Sequence, residues 1–556
     1  MRKSTALVAL AVLGLFAGLV PNAGATTQGV VEDNVRHVKN VPGTTGGHAV
    51  VDGDRLYVGA YGLGMRIFDV TQPANPVEIG RYIPGPQSAS DPGVRADAVP
   101  DAAVINGKHI ATLNGTNRAA ASQQTEFLDV TNPATPTLLH RFTGATDGEA
   151  HNGDIYDAKG LWLPSGGGGN GGLRIYDLNP LTQSPPAAPA RLFAGNPHTL
   201  WMNSPYRGSK PAGDAFGHTH DLEIYPNYNL LLRQSEWVDQ NGDGTPDPTY
   251  AKRDIVLLAG SVGYAVGAPS DTTANYIIDI TDPRNPVVIN KWQHKGTGGD
   301  PIRYNHEVQF LAGDPHVMIV TDEDLHSGCD AAMIYTVGVS EDLTEATKLD
   351  EWAPSGSFPN CSGHVFSSNG PYVFMGMYNA GLKVLDMSNP ADIKLAGQYV
   401  APGANSWGAL YNKGYIYVGD FGARGLDVFE FIANPAAKGF VKAMNPSTRT
   451  TFGVTERGCA ADPNPNAPTN NVDGLIVPIP ADKRDGTHTI RAVATADPGT
   501  ELDVWFYDEA CGYMSGTGNG GDDGATTSAQ IPVDAAFAVV TLYAGGPTWV
   551  YAQIDP

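Results

Sequence analysis

HAVVDGDRLYVGAYGLGMRIFDVTQPANPVEIGRY, residues 48–82, reads as four strands and the turns between them. Val50, Leu56 and Val58 mark the alternating apolar positions of an inner pair, and Met65-Arg66-Ile67-Phe68-Asp69-Val70 marks a third strand. In the turn Thr71-Gln72-Pro73-Ala74-Asn75-Pro76, the prolines fix φ and remove ladder donors, so the chain leaves the sheet there. Val77 to Tyr82 then returns as a fourth strand.

The second half of this stretch recurs. TEFLDVTNPATPTLLHRF (125–142), NYIIDITDPRNPVVINKW (275–292) and LKVLDMSNPADIKLAGQY (382–399) are plain copies, and Leu173 to Phe193 is a copy stretched after Asn179-Pro180. Weaker copies lie at Met333-Ile334-Tyr335 and Gly425 to Phe431. The third-strand markers Asp69, Asp129, Asp177, Asp279, Tyr335, Asp386 and Val428 are 60, 48, 102, 56, 51 and 42 residues apart. Such spacing, four antiparallel strands per unit, predicts an all-β fold with a seven-bladed β-propeller. The interval of 102 has room for an eighth unit. Only one cassette falls inside it, so it reads as one blade with a polar, turn-rich insertion over Asp239 to Lys252.

An apolar strand ending in Asp, then Asn-Pro or Asp-Pro and a second proline, closely resembles the LVIVD-repeat family of secreted and cell-surface β-propellers. The resemblance covers roughly Gly46 to Ala433. It implies the fold and no particular reaction.

Asn34 to Gly43 lines up with the fourth-strand stretch Pro76 to Gly85. This predicts that the N-terminal strand completes the last blade, pairing near Phe431 and closing the ring without a free edge. Residues 1–25 carry Arg2 and Lys3, an apolar run from Ala6 to Val20 and the small-x-small ending Ala23-Gly24-Ala25, the form of a secretory signal peptide. No cysteine lies near the expected cut and no sorting tail is seen, so the expected location is secreted or extracellular. No other run is long enough for a membrane span. With 58 acidic against 35 basic residues, the net charge of -23 repels phosphate backbones and excludes nucleic acid as a natural partner. The expected partner is an extracellular ligand or protein of unknown identity.

The expected domains are the signal at 1–25, the propeller at 26–443 and, after the repeat stops, a C-terminal β-sandwich at 444–556. The last has its own alternating strands around Thr489 to Val493, Leu502 to Tyr507 and Val539 to Leu542. Four cysteines in an exported chain predict two bridges, Cys329–Cys361 and Cys459–Cys511, each inside one folding unit.

The strongest chemical signal is at the start of each blade's innermost strand: His48, a residue near Asp101, His151, His220, His306, His364 and Trp407. Innermost strands run along the propeller axis, so equivalent residues converge on one end of the channel. Five neutral imidazoles there make a candidate copper, zinc, iron or manganese site. Channel lining in contact with water is the competing reading. Glu149 and His218, two before His151 and His220, are expected to face inward as accessory groups. Asp221 and Glu307, one after a histidine, are expected to face away and act only behind the ligands.

His220-Asp221, Tyr225-Pro226, Asn229 and Ser235-Glu236-Trp237 resemble a segment of the selenium-binding protein and methanethiol oxidase family. That family consists of propellers associated with copper-dependent thiol oxidation, and its cysteine-bearing N-terminal motifs are absent here. A second site, Asp239, Asn241, Asp243, Thr245 and Asp247 around Gly244, has the form of a Ca²⁺ loop without the final bidentate acid, since Tyr250 stands there. A solvated Asx turn is its alternative. The glycine runs at 165–172 and 516–524 read as loops. The sequence therefore predicts an exported propeller that binds a transition metal and serves as a binding or interaction protein, with a metal-dependent, possibly copper, oxidoreductase as the alternative.

Overall fold

The computed structural model describes residues 31–43, 48–60, 63–85, 99–114, 125–142, 150–165, 172–210, 218–261, 274–293, 305–323, 329, 333–356, 358–421, 424–433, 435–441, 474–494, 500–510, 512–517, 526–544 and 548–555. Glu149, Cys459, Cys511, the expected signal peptide and the side chain of His218 lie outside them.

The chain is all-β, with one short α-helix, Pro197–Met202, among the described residues. Seven antiparallel sheets follow one another along the chain, each counting outward from an innermost strand. Those strands are Ala49–Asp52, Val99–Ile105, Asn152–Tyr156, His218–Leu231, Asn305–Leu311, Phe366–Asn369 and Ser406–Asn412. Neighbouring innermost strands pack side by side, and the last returns to the first. Each gap between successive sheets is filled by its own apolar cluster, such as Leu56, Phe68, Tyr417 and Val428 between the seventh and the first. The interval from Asp177 to Asp279 holds no additional sheet among the described residues.

The cassette residues explain themselves in this arrangement. Asp69 Oδ1 accepts hydrogen bonds from the Thr71 amide at 2.8 Å and hydroxyl at 2.7 Å. Asp129, Asp177, Asp279 and Asp386 cap their turns in the same way. The turns then serve as joints between sheets: Arg55 donates to the Val130 carbonyl, Lys159 to that of Thr281, and Tyr417 to that of Pro73. At Gly80 the next turn comes so close that a Cβ would lie 1.7 Å from the Pro133 carbonyl oxygen.

Pairing of third with fourth strand skips one residue in all seven sheets: Val38, Ile79, Leu139, Leu192, Ile289, Leu349 and Ala396. Each is a β-bulge, and each is apolar.

Val35–Val41 is the fourth strand of the seventh sheet, running from Val35 opposite Phe431 to Val41 opposite Leu426. Its bulge sets Val38 against Ile79, so Asn34 corresponds to Asn75, one residue away from the expected alignment with Pro76. The shared glycines Gly43 and Gly85 suggest the wrong register. Val31–Asp33, not expected as a strand, adds a fifth strand to the sixth sheet.

Two further four-stranded sheets, from residues 437–554, enclose one apolar core that includes Val477, Leu502, Val504 and Val550. They touch the seventh sheet through Arg491 and Glu430 at 2.7 Å and through the Tyr551 hydroxyl, which accepts from the Asn34 amide. No helix among the described residues is long and apolar enough to cross a membrane.

The seam of the seventh sheet contains Asp427, which accepts from Asn40 at 2.8 Å and from Arg424 at 3.0 Å and contacts His37 Nε2 at 2.8 Å. Burial alone would raise its pKa, but these partners outweigh it and hold the carboxyl below its ordinary value. A depressed carboxylate stabilises the fold above its unfolded pKa, and the contribution is lost as pH falls through the folded one. Thermal melts of the wild type are expected to drop below about pH 4, and Asp427→Asn is expected to flatten that part of the profile. An unchanged profile in the variant would remove Asp427 from the acid response.

Candidate metal centre

Each ring histidine sits at the start of an innermost strand, where successive sheets converge. The rings form a chain: His151 and His220 centroids are 4.9 Å apart, His220 and His306 4.1 Å, and His306 and His364 4.0 Å. His48 joins them electrostatically. Burial first, then His364 and His151, push its pKa down to about 4. His306 falls well below its ordinary value for the same reasons. His48 and His306 are therefore held neutral at neutral pH, the state in which imidazole ligates metals.

Three of them converge on a group that the sequence did not single out. Glu323 follows the strand Asp314–Asp322 and is 5% exposed. His364 Nε2 lies 3.4 Å from its carboxylate, His306 Nε2 3.7 Å and His220 Nε2 4.0 Å. A tetrahedral ion with bonds of about 2.0–2.2 Å separates its ligands by about 3.3–3.6 Å, so His306, His364 and Glu323 are near the required spacing, with His220 further out at 4.0 Å. The far nitrogens of two rings are committed to backbone: His220 Nδ1 faces the His306 carbonyl at 3.1 Å and His364 Nδ1 the Trp407 carbonyl at 2.6 Å. Such partners orient the rings with Nε2 towards Glu323. His306, 1% exposed, has no hydrogen-bond partner on either nitrogen among the described residues. Buried polar atoms of this kind are rare unless something absent from the protein completes them.

Burial would raise Glu323, but His364 and the Tyr378 hydroxyl, which donates at 2.8 Å, keep it below its ordinary value. Tyr378→Phe is expected to weaken metal affinity about 10–100-fold, the usual effect of losing a ligand's outer partner. Competition with a chromophoric chelator measures this, and an unchanged constant would show that the hydroxyl does not orient Glu323.

Other expected residues are placed differently. Trp407 contributes its carbonyl and a ring 4.5 Å from that of His364. Asp101 leaves the histidines: it accepts from the Ala102 amide and from the Ile155 amide, and lies with Asp52 and Asp157. Asp221 is a correction. Register shifts between Thr219 and Asp221, and between Asn305 and Val308, break the alternation that should have turned it away. A carboxylate oxygen of Asp221 lies within 4.8 Å of ligand nitrogens of both His220 and His306.

In the insertion, Asp239 accepts from the Gly242 and Gly244 amides at 2.7 and 2.8 Å, Asn241 from Asp243 and Asp243 from Thr245. Asp247 accepts from the Gln240 amide. These contacts are those of a tight Asx-rich turn. Cys329 and Cys361 form a disulfide. It ties the segment after Glu323 to the residues just before His364.

The LVIVD repeat model matches residues 46–83 and 367–401. No curated protein matches the chain. Among solved structures, the WD40 β-propeller domain of Doa1 is similar at 10% identity and a TM-score of 0.39, covering 71% of this chain and 96% of its own. BamB from Moraxella catarrhalis is similar at 10% and 0.38, covering 71% and 100%. The computationally designed Ika8 protein stands at 8% and 0.37, covering 71% and 99%. The chain carries LVIVD repeats.

Proposed function

We propose that this is an exported metal-binding propeller whose axial channel holds a transition metal through His220, His306, His364 and Glu323, with His48 and His151 beside them. In this reading residues 1–25 are the signal peptide, the seven sheets within 26–443 are the blades, and 444–556, joined by the strand Ala437–Val441, form a β-sandwich with a second bridge, Cys459–Cys511. The carrying observation is the convergence of three Nε2 atoms on one buried carboxylate, with His306 otherwise unpartnered. Three nitrogens and one oxygen suit zinc, copper, iron or manganese. The metal serves a binding protein for an extracellular ligand, and the Asp239–Asp247 loop takes calcium to stiffen the insertion.

Plasma mass spectrometry of the purified mature chain tests this. The wild type is expected to retain a transition metal through gel filtration, and Glu323→Gln to retain one equivalent less per chain. A folded wild type that, offered copper, zinc, iron and manganese, keeps only calcium would make the histidines channel lining.

A further inference from the structure

Beyond the histidines, the innermost strands carry five acidic side chains that act on one another: Asp101, Asp154, Asp221, Glu223 and Glu307. Asp221 and Glu307 are 5% and 4% exposed. Among the described residues no lysine or arginine pairs with any of the five. Carboxylates gathered out of water in this way require protons or a cation.

A second and independent observation points to the cation. His306 belongs to two groups able to hold an ion, one with Glu323 and His364 and the other with His220 and Asp221. Both of its ring nitrogens are buried without a hydrogen-bond partner among the described residues. Asp221 is already oriented, accepting from Asn152 Nδ2 at 2.9 Å and from the Leu222 amide at 2.8 Å.

We propose that the channel holds a second divalent metal ion on the carboxylate side of His306, with Asp221 as its oxygen ligand and His306 shared between the two ions. The inference rests on the first site proposed above. The first ion takes Nε2, which faces Glu323, and the second takes Nδ1. The ring then binds as imidazolate, and the proton it gives up passes to a neighbouring carboxylate. Glu307, Glu223 and Asp154 balance the added charge.

Copper is a suitable probe. The full mature chain, freed of calcium and loaded with Cu²⁺, is expected to retain two equivalents after gel filtration, with the two spins coupled in electron paramagnetic resonance. Asp221→Asn, folded by circular dichroism, is expected to retain one equivalent with an ordinary isolated signal. A wild type that saturates at one equivalent, shows two uncoupled signals, or loses nothing in Asp221→Asn would overturn the second site. If the variant does not fold, the wild-type stoichiometry and spectrum decide alone. One ion removed by Glu323→Gln would leave the first site standing without the second, whereas no retained copper would remove both.

Discussion

Deletion of residues 31–43 is expected to open the ring and lower the melting temperature more than any single substitution in a blade core. Val35 is fully buried in the cluster that joins the sixth and seventh sheets, and Val38 and Val41 pack between the seventh and the first. Arg36 pairs with Glu430 at 2.7 Å and His37 with Asp427 at 2.8 Å. Removing the strand exposes those apolar faces and strips partners from two buried carboxylates. Together these losses amount to roughly 5–10 kcal/mol, comparable to the whole stability of an ordinary domain. Calorimetry of the truncated chain measures the effect. A melting temperature within a few degrees of the full chain would mean that the ring holds without its seam.

The variant carrying both His220→Ala and His306→Ala is expected to lose all retained transition metal while keeping its fold. His306 belongs to both groups able to hold an ion and His220 to one of them. Losing two direct ligands should exceed the roughly 10–100-fold that an outer partner costs. The truncated side chains also leave fewer buried nitrogens without partners, so the metal-free variant is expected to melt no lower than the metal-free wild type. Elemental analysis and paired melts check both points. Metal that stays bound to the variant would locate the ion elsewhere.

Five of the seven cassettes were legible because one physical device repeats in them, an Asp that caps its own turn and prolines that end a strand, and the other two, at Tyr335 and Val428, were read from strand pattern and spacing. The histidines were legible because they open innermost strands. Glu323 was not, since it follows a second strand, and only the pairing of Asn305 with Asp322 brings that end beside His306. Asp221 was misjudged because strict alternation was assumed where the strand bulges. Asp101 occupies the expected strand but belongs with the acids, not with the histidines.

The bulge shared by every third and fourth strand has a consequence for the protein in concentrated solution. A ring of sheets presents its outer strands as a circle of open hydrogen-bonding edges, each a template for pairing with another molecule's strand. One surplus residue kinks each of the seven at the same position, so no outer strand offers a straight run for a foreign strand to match. On the sixth sheet the chain adds its own cover, Val31–Asp33. The repeat that builds the molecule also kinks the edges on which copies of it would pair.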